Sequence, residues 1–562
     1  MEKVLRINVK TKDINYEDTP MEYLQTGGRG LIAKILLKEV KPTCEPLGKN
    51  NKLIFATGLL TGTNVSSASR LSIGAKSPLT GGIKESNAGG IMALRLAQIG
   101  LKALIIEDIP DDDKWYYIKI SKENCSFEPA DKYIEMGTFD FCTEMLNEYP
   151  DSAVSCIGPA GERLYSASGI ATMDKDKKPN RYSGRGGLGA VMGSKKIKGV
   201  VVIDKGTVKI ENNEQYMKSL KEYTKILSEA PSSLNFKKLG TASVVRTTQS
   251  LNGLPVNNFS GDLLEEDIVD NIYGETLYEV ISKRGGEGRT YHSCMPGCVI
   301  QCSNVFPDEN GKTIVSPLEY ETIGLLGPNL GITNLDVIAK LNAVCNDIGV
   351  DTIEIGAAIG VAMEAGIAKF GDVDAAFELM EEIKKGTILG RVLGNGATIT
   401  GKVLGVINVP AVNGQAMPAY DPRAIKGMGV TYSTSPMGAD HTYGPIVKCD
   451  KSFVESSNEA QIKMAIIDSL GFCMFVRAAI GANYKVLVDL INGRYGWNKD
   501  VDWVLNLAKE TISDEHKFNE LAGFSNVNYH MPECFTEREI SNLKTSFDVN
   551  VDELNELVSL YK

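Results

Sequence analysis

Cys294-Met-Pro-Gly-Cys298-Val-Ile-Gln-Cys302 packs three thiols into nine residues. A thiolate is strongly disfavoured inside a protein unless it binds a metal, and this density suits an iron–sulfur cluster whose fourth ligand lies far along the chain. The C-x3-C-x2-C pattern of radical-SAM enzymes does not fit, because the second gap here is three residues. Zinc sites more often use paired C-x2-C units, and the chain has none. The bland alternative, three free buried cysteines, sits poorly with such tight packing. The other cysteines are scattered, and each taken singly reads as a small core residue.

A second kind of chemistry is written in glycine and arginine. Three clusters stand out: Gly27-Gly28-Arg29-Gly30; Gly81-Gly82 running on to Asn87-Ala88-Gly89-Gly90; and Gly184-Arg185-Gly186-Gly187-Leu188-Gly189. Glycine lets backbone N–H groups approach an anion closely, and an arginine grips phosphate with two parallel hydrogen bonds. Arg29, Arg70, Lys76, Arg181 and Arg185 are in or beside these clusters. One such cluster is most simply a turn between strands; three together point to an anionic cofactor. The third is not expected to follow a strand and open a helix, and no acidic residue comes at the right distance, so it is not a dinucleotide fingerprint.

The elements that must position these groups change in texture along the chain. Up to about residue 207, short β-like runs such as 52–56, 103–107 and 199–204 alternate with Gly and Ser/Thr clusters. From there helical spacing takes over. Asn212 caps a helix that aligns Tyr216, Leu220, Tyr223 and Leu227, with Gln215 completing a capping box. A second helix is expected from Asn334 through Val337, Leu341 and Val344, continuing past Asp351 to Val361. Residues 410–421 read as a Pro/Asn/Gly-rich connector, with helices again around 460–470 and 503–511. The expected fold is α+β and multidomain: a β-rich domain over 1–207, then mainly helical domains over 208–410 and 411–562.

Composition narrows the function. The chain has 562 residues and a net charge of −11, which argues against a nucleic-acid or anionic-membrane partner. Its four histidines leave little room for a multi-histidine metal centre. No export signal is read at the N-terminus, and the apolar stretch 355–368 is short and broken by Glu364, so a reducing cytoplasm is the expected compartment.

The run from Ala68-Ser-Arg70 through Lys76 to Gly82, then Asn87-Ala-Gly-Gly90 and Gly184 to Lys195, resembles the tungsten-containing aldehyde:ferredoxin oxidoreductase family. The likeness continues, in the family's order, through Cys294 to Cys302, Glu319-Tyr-Glu321-Thr322, Asn346 to Asp351 and Asp468-Ser-Leu-Gly471-Phe-Cys473. The resemblance implies an N-terminal domain of two β-sheets and two helical domains closing over it. Between them it places tungsten or molybdenum on two pyranopterins, beside one [4Fe–4S] cluster.

Carried over by position, Arg29, Arg70, Lys76, Arg185 and the loops Asn87, Ala88, Gly89, Gly90 and Ser183, Gly184, Gly186, Gly187 would hold pterin phosphates. The carbonyls of Asn87 and Ser183 would face a bridging Mg²⁺, and Asp351, Asp468 and Gly471 fall in the pterin motifs. Cys294, Cys298, Cys302 and Cys473 would carry the cluster. Glu321 and His441 would form the catalytic pair, with Glu319 as the fallback. A carboxylate there would act as general base on water and an imidazole would donate to the carbonyl oxygen.

Three departures stand against the family pattern. The first cysteine gap is one residue longer than in C-x2-C-x3-C, and Asn346 stands where Asp is usual. No His lies between His292 and His441 to supply the intersubunit iron bridge of some members, although a homodimer stays compatible. The implied activity is oxidation of an aldehyde to a carboxylate, with a ferredoxin or polyferredoxin subunit as acceptor. The alternatives are a benzoyl-CoA-reductase-like subunit, a cluster-binding electron-transfer subunit without tungsten and, more remotely, a zinc-structured non-enzyme.

Overall fold

The computed structural model describes residues 2–449 and 451–561. Strands β1 (Lys3–Asn8), β2 (Ile14–Asp18), β3 (Lys52–Thr57), β4 (Leu71–Lys76), β5 (Ile83–Ala88) and β6 (Leu101–Glu107) form one sheet in the order β2-β1-β6-β3-β4-β5. It is antiparallel except for β1 beside β6. Strands β7 (Tyr116–Ile120), β8 (Cys125–Pro129), β9 (Ala153–Cys156), β10 (Ile170–Thr172), β11 (Arg181–Ser183) and β12 (Ile197–Val202) form a second sheet in the order β11-β10-β9-β12-β7-β8.

The two-residue repeat of a strand explains how they stack. Leu5, Ile7, Leu53, Phe55, Leu104 and Ile106 join a core shared with Ile118, Ile170 and Val200 of the second sheet. Their neighbours Val4, Ile54, Ala56 and Ile105 face the opposite way, onto Leu31, Ile32, Ile35 and Leu36 of the helix Gly28–Glu39. One sheet therefore serves two cores.

The remaining chain is mainly helical, as expected, with a three-stranded sheet (Arg289–His292, Ser303–Pro307, Thr313–Val315) inserted. Asn212 caps the helix Asn213–Glu229 by accepting from the Gln215 N–H at 3.2 Å, and Tyr216, Tyr223 and Leu227 are buried; Leu220 is half-buried. The expected single helix past Asp351 is two. Gly349, at φ 80°, ends Leu335–Ile348, and Asp351 caps Thr352–Glu364 by accepting from the N–H groups of Ile353 and Glu354. Periodicity carried across the break because both helices bury apolar stripes in one core.

The stretch 410–421 holds a two-stranded hairpin, Ala411–Val412 with Gln415–Ala416. The third glycine cluster also differs from expectation: it follows β11 and opens the helix Leu188–Ser194, with Gly187 left-handed at its cap. It still lacks a parallel βαβ setting, since β11 pairs antiparallel with β10. Among the described residues no helix is long and apolar enough to cross a membrane.

Candidate active site

A cavity of about 670 Å³ gathers side chains from the N-terminal sheets and from the helical region. Its cysteine wall is assembled by one loop. Ser67, held at φ 62°, accepts the Cys473 N–H on its carbonyl at 2.8 Å, and its hydroxyl meets the Cys298 Sγ at 3.2 Å. Ser66 Oγ accepts from the Val299 N–H at 3.1 Å, and the Arg70 N–H donates to the Gly471 carbonyl at 3.0 Å. Thus a loop from the first sheet ties the segment 294–302 to the residues after the helix Phe453–Leu470, across more than 170 residues of sequence.

Cys294, Cys302 and Cys473 line the cavity, while Cys298 is buried just behind them. Gly89 lies against this wall, where a Cβ would stand 2.7 Å from the Cys294 Sγ. Burial pushes the thiols of Cys294, Cys302 and Cys473 up, and the nearby cations Arg181 and Arg70 oppose that shift at Cys294. A cluster anion in their midst would be balanced by those two guanidiniums.

The glycine-rich loops divide. Asn87, Ala88, Gly89, Gly184 and Arg185 line the cavity, and the unpartnered Ser183 Oγ is buried beside them. Both oxygens of Asn87, including the carbonyl expected to face Mg²⁺, accept from Arg70. Arg29, by contrast, is enclosed in protein. It donates to Glu515 at 2.7 and 2.9 Å and to Asp468 at 3.4 Å, under the ring of Tyr443, and so supports Asp468 from behind. Its glycines let the helix start approach the chain at Asp468, whose carbonyl would lie 2.1 Å from a Cβ on Gly28.

Lys76 lies off the cavity, bonded to the carbonyl of Pro42. Gly90, at φ 112°, packs on the Met173 carbonyl, and Gly186 packs on the side chain of Lys84. Gly471 caps the helix Phe453–Leu470 in the left-handed region. These four positions shape the scaffold and not the cavity wall. Asp468 does line the cavity, and burial beside Glu85 pushes its carboxyl up to about 8. Asp351 lines it too, receiving Arg185 Nε at 3.3 Å. Of the neighbours Asn346 and Asp347, only Asn346 faces this cavity; one helical step turns Asp347 toward a separate surface cleft.

Glu321 and His441 meet inside the cavity, His441 Nε2 standing 3.5 Å from Glu321 Oε1, each side chain 16% exposed. The Ala419 N–H donates to Glu321 Oε2 at 2.8 Å, whereas among the described residues Glu321 Oε1 and His441 Nδ1 have no hydrogen-bond partner. Desolvation dominates both groups, pushing Glu321 up to about 8 and His441 down to about 4. At neutral pH the pair is an uncharged carboxyl beside an uncharged imidazole.

Glu319, two residues earlier, sits apart. It precedes the helix Tyr320–Leu326 in extended conformation, accepts from Thr241 Oγ1 at 3.2 Å and stands beside Arg181 and Cys302. The turn into the helix sends the two carboxylates to opposite parts of one cavity.

Sequence reasoning missed the layer behind this pair. Lys84, fully buried, donates to Asp440 at 2.6 Å, which holds the Asp440 carboxyl far below the usual range against its burial. Glu354 accepts from the N–H groups of Ala397 and Ala416 at 3.0 and 2.9 Å near Arg185, and burial pushes it up to about 7. Tyr420 stacks on His441 with ring centroids 6.2 Å apart. A lysine flanked by Ile83 in a buried strand, and an aspartate directly before the singled-out histidine, were the available signals.

Among the described residues no three His, Cys, Asp or Glu side chains converge on a single metal ion. Thiols at the corners of a cubane stand apart by the width of the cluster, so that finding is compatible with a [4Fe–4S] site. Among the described residues the buried donors Arg181 Nε and Ser183 Oγ, and beside them Glu85 Oε1, Glu321 Oε1 and His441 Nδ1, are left without partners around the cavity; the first two suit an anionic group and the mixed set suits a large polar one.

Known proteins resemble this chain along most of its length. Residues 4–205 match the family model of the aldehyde ferredoxin oxidoreductase N-terminal domain, and residues 218–561 match that of its domains 2 and 3. The chain is 30% identical to the tungsten-containing aldehyde ferredoxin oxidoreductase of Pyrococcus furiosus, over 93% of this chain and 89% of that one. It is 26% identical to an aliphatic sulfonate oxidoreductase, WOR-like subunit, of the same organism, over 88% and 82%. Its fold matches the active-site complex BamBC of benzoyl coenzyme A reductase with 1,5-dienoyl-CoA, at a TM-score of 0.82 and 18% identity, covering 100% of this chain and 93% of that one. The chain therefore belongs to the aldehyde ferredoxin oxidoreductase family of tungsten-containing oxidoreductases.

Proposed function

We propose that this protein oxidises an aldehyde with water to a carboxylate, RCHO + H₂O → RCOO⁻ + 3H⁺ + 2e⁻, and delivers the electrons to a ferredoxin or polyferredoxin subunit. The observation that carries it is the desolvated Glu321–His441 pair, open on one side, in the cavity that Cys294, Cys302 and Cys473 also line. When bound, a tungsten or molybdenum bis-pterin supplies the two-electron oxidation, and a cluster on Cys294, Cys298, Cys302 and Cys473 relays the electrons singly.

The residues around the substrate have separable tasks. The Ala419 N–H fixes one oxygen of Glu321 and turns the other, Oε1, toward the cavity. A Glu321 carboxyl held at about 8 carries its proton at neutral pH, so it donates to the carbonyl oxygen as charge develops there. His441, neutral because burial holds it at about 4, accepts the proton released from water. This exchanges the roles expected from residue type alone. Tyr420 helps to orient the imidazole by stacking on it.

On the other side of the cavity, Arg70, Asn87, Gly89, Gly184, Arg185, Asp351 and Asp468 would hold the pterins and an accompanying Mg²⁺. The test is elemental mass spectrometry of anaerobically purified protein together with viologen reduction. About four Fe with one W or Mo per chain, and dye reduction that depends on aldehyde, are expected. Iron without W or Mo from cells given both, or turnover of an acyl-coenzyme A in place of aldehyde, would overturn the reading.

A further inference from the structure

Glu354 is a carboxyl where the pattern of its helix calls for an apolar residue. It stands between Ile353 and Ile355 in the helix Thr352–Glu364, is 0% exposed and does not reach the active-site cavity. Backbone occupies both of its oxygens: Oε1 accepts from the Ala397 N–H at 3.0 Å and Oε2 from the Ala416 N–H at 2.9 Å. Gly396, at φ 90°, comes so near that a Cβ there would stand 2.5 Å from Oε1. A buried carboxyl costs stability compared with an apolar side chain, so what it holds matters.

What it holds is a strap. Arg185 Nη2, 3.9 Å from Glu354 Oε2, donates to the Ala416 carbonyl, so Ala416 is fixed at both its N–H and its C=O. Met417 and Pro418 follow, both buried. The proline ring fixes its own φ and keeps Met417 out of the helical region, so the orientation set at Ala416 passes stiffly to Ala419 and Tyr420. The Ala419 N–H donates to Glu321 at 2.8 Å, and the Ala419 carbonyl accepts from the Tyr320 hydroxyl. Tyr420 stacks on His441. The chain just before His441 is tied in as well: the Ala439 carbonyl accepts from Arg185 Nη1 at 2.7 Å and from Gln415 Nε2 at 3.0 Å.

We propose that Glu354 is a positioning residue for the active site: through the strap 415–420 it sets the Ala419 N–H on Glu321 and the Tyr420 ring on His441, without touching the substrate. This rests on the aldehyde reading above and deepens it.

The experiment uses the holoenzyme and Glu354→Gln, which keeps the volume but turns an amide N–H₂ toward one of the two backbone N–H groups. Hydrogen exchange read by mass spectrometry needs no turnover, and it should become at least about tenfold faster over 413–421. In viologen reduction kcat should fall about 10²-fold, with KM within about threefold and W, Mo and Fe contents unchanged.

The alkaline limb of the kcat/KM profile separates positioning from charge. The Ala419 N–H opposes the upward push of burial on Glu321, so losing that bond moves the limb above about 8. Deleting the Glu354 charge alone would release Arg185 and move the limb the other way. Arg185, Asp351, Asp440 and His441 also face Glu321 and are unaltered in this variant.

Faster exchange with kcat and the limb unchanged would show a purely structural carboxyl and overturn the proposal, as would a limb that moves down. Should Glu354→Gln not fold, Gln415→Met loosens the same strap at Ala439; kcat should then fall about tenfold, and undiminished kcat overturns the proposal. A native protein inactive on every aldehyde would sink the aldehyde reading and not the strap, which the exchange experiment tests by itself: unaltered exchange over 413–421 overturns it.

Discussion

Two buried polar groups on either side of His441 behave in opposite ways. Behind it, Asp440 is saturated: Lys84 sits at 2.6 Å, with Arg185 nearby, and both side chains are buried. In front, Glu321 receives one backbone N–H and leaves its other oxygen bare, 3.5 Å from an imidazole whose own Nδ1 is unpartnered. Adjacent residues thus serve a structural pair and a reactive pair. Full satisfaction marks groups that hold the cavity in shape, while incomplete satisfaction under burial marks groups that await a ligand.

The strongest way to break this contrast is to remove the incomplete member. Glu321→Gln keeps the volume and loses the titrating proton, and aldehyde-dependent viologen reduction should fall by about 10³–10⁴-fold with W, Mo and Fe contents unchanged. Undiminished turnover would mean that Glu321 is a spectator.

The saturated pair should answer in stability. Lys84→Met leaves Asp440 buried and underpaired, and should lower unfolding free energy by about 3–5 kcal/mol, read by limited proteolysis or denaturant titration. A variant as resistant as the native protein would show that Arg185 alone suffices for Asp440.

The pH dependence of the apoprotein sharpens the same distinction. Glu321 is raised in the folded state to about 8, so it retains its proton where the unfolded chain has lost it. Its contribution is fully present below the ordinary carboxyl range near 4.5 and is lost as pH rises through about 8. His441 acts oppositely: its folded value near 4 gives stability that is lost as pH falls from about 6.5 through 4. Arg185, Asp351 and Asp440 face Glu321, and Asp440, Arg185, Lys84 and Arg477 face His441. Relative to the native chain, Glu321→Gln should therefore gain stability between pH 5 and 8 and level off above. A difference that is constant across pH 5–9 would refute the buried, neutral carboxyl.

The smallest effect concerns the other saturated network. Tyr443 donates to Glu515 at 2.7 Å while its ring covers Arg29. Tyr443→Phe keeps the ring and removes one hydrogen bond to a charged acceptor, so a loss of about 1.5–3 kcal/mol in denaturant titration is expected, with the Fe content unchanged. A lowered Fe content would tie this network to the cysteine wall.

Much of this was legible in residue types and spacing. The cysteine run, the glycine–arginine loops and the alternation of β1, β3 and β6 follow from local rules: thiolate chemistry, backbone freedom and the two-residue repeat of a strand. So does the cap at Asn212, because a side chain bonding three residues ahead needs nothing beyond its own turn.

Other features were fixed only when distant segments met. Lys84 and Asp440 are 356 residues apart and Arg29 and Glu515 are 486 apart, so no local pattern pairs them. Arg29 and Lys76 look like phosphate ligands in sequence, yet packing encloses one against Glu515 and turns the other toward Pro42. Glu321 was the first candidate and Glu319 the fallback, and only the start of the helix Tyr320–Leu326 sends one toward Cys302 and the other toward His441. Sequence sets which groups the chain can offer, because chemistry belongs to the residue. Tertiary structure decides which are left unsatisfied, because burial and partners depend on what every other segment brings to the same point.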